Sequence, residues 1–158
     1  MRRPWNIINQ PVYSLLTKDS LGNINMNICT YVTAVSMNPK IYMIAIFYNT
    51  KTYENLINSD SAVLQLLSKD NISMVRGLGK KSGMKIDKDK YLRKKRLIKW
   101  KNYNVLDNIC GLVELKKNQV IKNHGDHAIV FFDVVSYKTI SERGLLTTSD
   151  LIDKKIIL

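Results

Sequence analysis

Ile24–Asn58 reads INMNICTYVTAVSMNPKIYMIAIFYNTKTYENLIN, and the way this stretch divides decides the fold. Ile24–Val35 alternates, with Met26, Ile28, Thr30, Val32 and Ala34 on one side and Asn27, Cys29, Tyr31, Thr33 and Val35 on the other. Period two is strand periodicity, and apolar residues on both sides predict a strand covered on both faces. Asn38-Pro39 breaks the pattern, because proline lacks a ladder donor and fixes φ. Ile41–Phe47 is an unbroken apolar run and reads as a fully buried strand. Asn49–Asn58 then reads as a short helix, with Thr50 or Thr52 near its cap and Leu56 and Ile57 facing the core. A strand pair feeding a helix start that carries hydroxyls and Lys51 is a physically sensible phosphate seat. Free backbone N–H groups, hydroxyl donors and the positive end of the helix dipole converge there. The same residues also suit a plain hairpin followed by a capped helix.

Outward from this stretch the chain continues mainly as strands. Val12–Thr17 suits a first strand after Pro11, and Asp19–Asn23 is a turn with Gly22 available for positive φ. Trp5 is expected to pack locally. Ala62–Leu67 is another strand, and Asn71 opens a short helix over Ile72–Leu78 that Gly77 and Gly79 end. Lys80–Lys101 has weak periodicity and reads either as helix from Asp89 or as loop. Ile109–Lys116 reads as a strand, Lys117-Asn118 as a hairpin turn and Gln119–Lys122 as its return. Ala128–Val135 is a strongly β-branched strand, Leu145–Thr148 a short one, and Ser149–Lys155 holds one or two helical turns. Six or seven strands with hairpin-length connections predict an antiparallel barrel. At 158 residues the chain suits a single domain over 1–158 that buries about two-thirds of its unfolded surface.

Composition narrows the classes. Apolar content of 45% with three prolines and seven glycines describes a packed globular protein rather than a disordered one. No apolar run approaches the roughly 20 residues of a membrane helix, and Met1-Arg2-Arg3-Pro4 precedes no apolar secretory core. Cys29 and Cys110 make no disulfide framework, so buried free thiols in a reducing cytoplasmic setting are expected. The net charge of +12 is uneven: Lys85–Lys101 carries nine cations against Asp87 and Asp89. Such a segment is a solvated basic face, an attractor of anionic ligands, or a single-stranded nucleic-acid surface with Tyr91, Trp100 and Tyr103 as stacking platforms.

Chemistry-bearing groups gather at His124-Gly125-Asp126-His127. A metal there would need ligands from elsewhere. A Cys–His nucleophile would need Cys29 or Cys110 close to His127, and both thiols lie in apolar strand patterns. Two readings remain: a loop histidine held by Asp126, or a ligand-facing imidazole at the mouth of a barrel. No GxGxxG follows a strand and no GxxxxGK[ST] occurs, which leaves dinucleotide folds of those types unsupported. Gly77–Gly83, GLGKKSG, follows a helical pattern and forms a cationic edge able to close over an anion.

In order, three stretches resemble the flavin reductase-like, FMN-binding split-barrel family. They are NMNICTYVTAVSMNP followed by IYMIAIFYNTKTYENL, then GKKSGMKIDKDKY over Gly79–Tyr91, then Gly125-Asp126-His127. The resemblance covers roughly Pro11–Tyr137. It implies a mainly β chain with short helices, a six-stranded antiparallel split β-barrel that dimerises with FMN at the subunit interface. It makes Asn27, Ile28, Cys29, Thr30 and Tyr31 the flavin ring and ribityl contacts, and Thr50–Tyr53 the phosphate neighbourhood. Lys51, Thr52 and Tyr53 belong to that neighbourhood, and Phe47, Tyr48 and Asn49 lead into it. Lys81, Ser82 and Lys88 add donors and positive charge. His127 stands near a second ligand, NADH or NADPH, from which hydride passes to flavin, and reduced flavin goes to a partner monooxygenase or another acceptor. Ile28 departs from the family's hydroxyl residue, the part after Tyr137 is short, and Arg93–Lys101 is unusually basic. The alternatives are a flavin-binding protein without turnover and the basic nucleic-acid-binding barrel.

Overall fold

The structure is a computed structural model that describes residues 1–122 and 125–157. Its strands are β1 (Tyr13–Lys18), β2 (Ile24–Met26), β3 (Val32–Met37), β4 (Lys40–Phe47), β5 (Ser61–Leu66), β6 (Leu97–Trp100), β7 (Tyr103–Leu106), β8 (Gly111–Lys122) and β9 (His127–Thr139). Four short helices are α1 (Lys51–Asn58), α2 (Ile72–Gly79), α3 (Lys88–Leu92) and α4 (Thr148–Asp153). Seven strands form one sheet in the order β2-β1-β5-β8-β9-β4-β3, every pairing antiparallel, and β6–β7 is a separate hairpin.

The two edge strands of the large sheet, β2 and β3, are consecutive in the chain and separated only by Asn27–Tyr31. One bent segment therefore serves both edges and draws them together. Counted once, it leaves six chain segments in the sheet, the number the resemblance implies. The single strand expected over Ile24–Val35 is thus broken, and its side chains explain the break. Asn27 Oδ1 accepts the Leu15 N–H at 3.0 Å, while the Asn27 N–H donates to the Leu15 carbonyl at 3.3 Å. A side-chain oxygen here takes the place of a ladder carbonyl, and the backbone turns away. Cys29 still exchanges two hydrogen bonds with Tyr13, each 2.9 Å, whereas the Tyr31 carbonyl already accepts from Ala45 on β4 at 3.0 Å. Between those residues the chain crosses from one side of the split to the other.

Alternation along β5 places Ala62 and Leu64 in the barrel interior with Leu15, Ile44 and Phe132. Val63 points the other way and joins Leu16, Met26, Leu78 and Leu92 in a second core beneath the helices and the β6–β7 hairpin. Only Ile44 and Ile46 of β4 are buried, so that strand is not covered throughout as its composition suggests. Ile57 of α1 is exposed while Leu56 is buried, which corrects the expected core face. Trp5 is also exposed, with the Arg3 guanidinium over its ring.

One further expectation fails and one is resolved. Lys117-Asn118 is not a turn: β8 runs on through it with a register shift between Lys117 and Gln119. Asn118 Nδ2 instead donates to the Asp133 carboxylate at 3.0 and 3.1 Å, and the Lys117 N–H donates to the Asp60 carbonyl at 2.6 Å. A polar pair that reads as turn chemistry in sequence is a bulge. In the basic segment, α3 is capped by Asp87, which accepts the Lys90 N–H at 3.1 Å. The β6–β7 hairpin, absent from the sequence reading, packs Leu97, Ile98, Trp100 and Tyr103 against the second core.

Phe132 is fully buried in the barrel interior. Phe132→Ala is expected to lower the unfolding free energy by about 3–5 kcal/mol, read as a lower urea midpoint at unchanged slope.

Candidate functional site

At the split, a cavity of about 390 Å³ opens between the bent segment, the end of β4 with the start of α1, and the end of α2 with the following loop. Asn27, Ile28, Cys29, Thr30 and Tyr31 form one wall; Phe47, Asn49, Lys51 and Thr52 form another. Lys81, Ser82 and Lys88 close a third side, and His127 stands at the first residue of β9. Tyr48 and Tyr53 are not in the lining. Their rings meet edge to face at 5.1 Å and pack against the barrel core. His124 lies outside the described residues. Asn25, Gly79, Lys80 and Gly83 line the same cavity and are missing from the sequence-derived set. The Ser-Gly pair was the available signal for Gly83; Asn25 offered none, because a polar residue in an alternating strand reads as a solvated position.

The backbone of the bent segment carries the clearest binding signal. Along this edge segment some peptide groups face away from the ladder: the N–H groups of Ile28, Thr30 and Tyr31 make no hydrogen bond among the described residues. Backbone donors buried away from water are almost always paired, whereas these three border an open cavity where water or a ligand can reach them. Three donors on one cavity wall suit a flat ligand edged with carbonyl and ring-nitrogen acceptors.

On the opposite wall, Thr50 caps α1. Its Oγ1 accepts the Tyr53 N–H at 3.2 Å and donates to the Phe47 carbonyl at 2.7 Å. The cap leaves other first-turn donors available beside Lys51, whose ammonium pairs with Glu54 at 2.6 Å. Thr52 is buried and its Oγ1 accepts from Asn25 Nδ2 at 3.1 Å. Asn25 Oδ1 is buried with no partner. A Cβ at Gly83 would stand 2.5 Å from that oxygen and 2.9 Å from Lys51 Cβ, so only glycine allows this approach.

Lys88 is 6% exposed. Its ammonium donates to the Met26 carbonyl at 2.9 Å and the Leu78 carbonyl at 2.6 Å, tying β2 to the end of α2. It has no carboxylate partner among the described residues, and desolvation lowers its pKa from 10.5 to about 8. A buried, unpaired cation in a cavity wall favours an anionic occupant. Next to it, Asp89 accepts the Ile24 N–H at 2.9 Å and pairs with Arg93 at 2.6 Å, which fixes α3 on β2.

His127 Nδ1 lies 2.5 Å from Asp126 Oδ1, and this hydrogen bond holds the Asp126 carboxyl below its ordinary range. The imidazole stands 5.7 Å from the Tyr31 ring and 5.4 Å from the Phe47 ring, so three rings gather at the cavity mouth. Cys29 is partly exposed as a residue, but its thiol is enclosed and burial pushes its pKa up to about 12. At neutral pH it is therefore no nucleophile. Among the described residues no group of three or more His, Cys, Asp or Glu side chains is placed to hold a metal. Tyr91, Trp100 and Tyr103, the proposed stacking platforms of the basic segment, are partly buried against the second core. They do not form a free aromatic surface.

The model of the flavin reductase-like domain matches residues 1–150. The chain belongs to that family. No curated protein matches its sequence significantly. Among solved structures it is similar to the NADH:FAD oxidoreductase of Streptomyces globisporus C-1027 in complex with NAD and FAD fragments, with a TM-score of 0.79 at 14% identity. That match covers 92% of this chain and 84% of the other. An FMN-binding protein from Thermus thermophilus matches with a TM-score of 0.77 at 16% identity, over 90% and 78% of the two chains. The flavin reductase of styrene monooxygenase from Pseudomonas putida S12 matches with 0.75 at 14% identity, over 88% and 84%. At these identities the likeness is one of fold.

Lys88 has a testable pH signature. Its pKa is lower folded than unfolded, so between about pH 8 and 10.5 the unfolded chain binds more protons and stability rises with pH. The penalty of the buried charge is full below pH 8 and is relieved across that window. Urea titrations from pH 7 upward are expected to show wild type gaining stability relative to Lys88→Met above about pH 8; parallel curves would contradict a buried ammonium.

Proposed function

We propose that this chain is an NAD(P)H-dependent flavin reductase that binds FMN in the cavity at the split, as one domain over residues 1–158. Supporting this reading, a single cavity collects unpaired backbone donors on one side and an anion-favouring helix start with a buried ammonium on the other. The residues fit the group. Ile28, Thr30 and Tyr31 N–H groups would donate to the edge of the flavin ring, and Thr52, Lys51 and Lys88 would hold the phosphate. The apolar lining at Ile28 stands in for a hydroxyl, so ring recognition there falls to the backbone. When bound, the flavin supplies the two-electron acceptor for hydride from the nicotinamide cofactor. His127, oriented by Asp126 between Tyr31 and Phe47, would position that second ligand and exclude water from one side of the ring. Hydride transfer depends on geometry more than on an acid–base pair, which suits a site with one oriented imidazole.

The functional unit is a homodimer with flavin at the subunit interface. Its support is the exposed apolar surface of β3 and β9: Met37 is 80% and Tyr137 64% exposed, with Val35 and Val135 beside them. Met37 and Tyr137 line an apolar cavity of about 460 Å³ with Ile41, Leu112 and Val134, and it shares no residue with the cavity at the split. Contiguous apolar surface of this kind marks an interaction face. No described helix is long and apolar enough to cross a membrane, and the reading places the protein in the cytoplasm, passing reduced flavin to a partner monooxygenase or another acceptor.

Purified protein is expected to bind FMN with a flavin absorbance band, and FMN at about 100-fold its dissociation constant to add about 2.7 kcal/mol of apparent stability. Anaerobic mixing of the FMN-loaded protein with NADH or NADPH is expected to bleach that band. Binding without bleaching reduces the role to flavin carriage; no binding removes the proposal. Sedimentation equilibrium is expected to give a dimer for wild type and a monomer for Met37→Glu.

A further inference from the structure

Apart from the split cavity and the β3–β9 face, a third surface forms where the N-terminal segment meets α4. Residues 1–10 are not a loose tail. The Thr148 N–H donates to the Gln10 carbonyl at 2.9 Å, the Gln10 N–H to Thr148 Oγ1 at 3.0 Å, and the Ser149 N–H to Asn9 Oδ1 at 3.0 Å. These bonds hold the Pro4–Asn6 turn beside α4, and Arg76 Nη2 reaches the Lys155 carbonyl from α2 at 3.4 Å.

The segment so fixed turns its apolar side chains outward. Trp5 is 56%, Ile7 66% and Ile8 63% exposed, and Ile157 beyond α4 is 39% exposed. Trp5, Ile8 and Ile157 border one cavity of about 450 Å³, with Ile28 to Tyr31 of the bent segment as another wall. They therefore form a patch rather than scattered positions. Cations ring it. The Arg3 guanidinium lies 5.9 Å from the centre of the Trp5 ring, Lys80 lines the same cavity, and Arg2, Lys154 and Lys155 are their neighbours in the chain. All five are exposed, and none makes an ion pair among the described residues. Opposing charge is sparse. Met1–Lys18 carries no side-chain carboxylate, and of the two on residues 147–157, Asp150 is engaged by Lys69 at 3.1 Å, which leaves Asp153.

We propose that this patch seats the protein on an anionic lipid surface, with Trp5, Ile7, Ile8 and Ile157 entering the interfacial layer and the surrounding cations facing lipid phosphates. The combination decides the occupant. A second copy packed on the same face would set these cations against their own kind. A nucleic acid would satisfy the cations and leave the apolar side chains in water. An anionic bilayer takes both at once, with the indole at headgroup level, the aliphatic side chains below it and phosphates for arginine and lysine. Attachment of this kind grows with the apolar area inserted plus the attraction to anionic headgroups. Charge alone acts over only about 8 Å at physiological salt. The inference goes beyond the flavin reading and stands without it.

Co-sedimentation of the full chain with vesicles at about 150 mM salt, where exposed charge is largely screened, makes the test. One set of vesicles is phosphatidylcholine alone, the other equal parts phosphatidylcholine and phosphatidylglycerol. Wild type is expected to sediment with the mixed vesicles and not with the neutral ones. Trp5→Ser with Ile8→Ser removes apolar contact, and Arg2→Glu with Arg3→Glu reverses charge. Each double variant is expected to bind the mixed vesicles at least about tenfold more weakly. All four positions are exposed, and a melting temperature unchanged from wild type checks that the fold is intact. Failure to bind mixed vesicles, equal binding to neutral ones, or binding that either variant leaves intact overturns the inference. Oligonucleotide binding in place of vesicle binding, weakened only by the charge variant, overturns it in favour of nucleic acid.

Discussion

The hydrogen bond from the Leu15 N–H to Asn27 Oδ1 sits at the point where this barrel is allowed to be incomplete. As the edge of the sheet, Ile24–Val35 has one neighbour at a time, and alternate peptide groups face away from the ladder. By substituting a side-chain oxygen for a backbone one, Asn27 interrupts the regular pairing with β1, which Cys29 resumes through Tyr13 before Tyr31 bonds Ala45 across the gap. The free N–H groups of Ile28, Thr30 and Tyr31 lie along this crossing. The same residues that link the two sheet edges thus also leave donors unpaired on the cavity wall.

Positive charge is distributed by the same logic. Most of the basic segment is solvated or paired: Arg93 with Asp89, Arg96 with Asp107, Lys101 with Glu114. Lys95 and Lys81 lie over the Tyr91 ring. Lys88 is the exception, buried, tied to two carbonyls and lowered in pKa. Mean composition could suggest a nucleic-acid surface, but a field from exposed lysines steers ligands weakly and is screened by salt, whereas a desolvated ammonium in a cavity wall selects among them.

Strand pattern, the Asn38-Pro39 turn and the Thr50 cap were legible in the sequence because each has a local cause. The ordered motifs also named most of the cavity lining, from Asn27 to His127. What escaped was set by tertiary partners. Whether Asn118 turns the chain depends on Asp133 standing across the ladder to receive it. The β6–β7 hairpin is hidden by lysines on its outer side, and its apolar residues find their reason only in the second core. Tyr48 and Tyr53 flank cavity residues in sequence, yet their rings turn into the barrel interior. Asn25 could not be recognised, since its importance lies in an oxygen that lacks a partner, a property no local pattern encodes.

The cavity draws its walls from residues 25–31, 45–52, 78–83, 88 and 127, stretches that meet only when the whole sheet has assembled. None of these stretches by itself holds even half of it. A ligand that occupies the cavity thus has almost nothing to recognise in a partly folded chain and acts entirely on the native population. Any ligand that binds this cavity therefore adds its binding free energy to the stability of the whole fold rather than to one part of it.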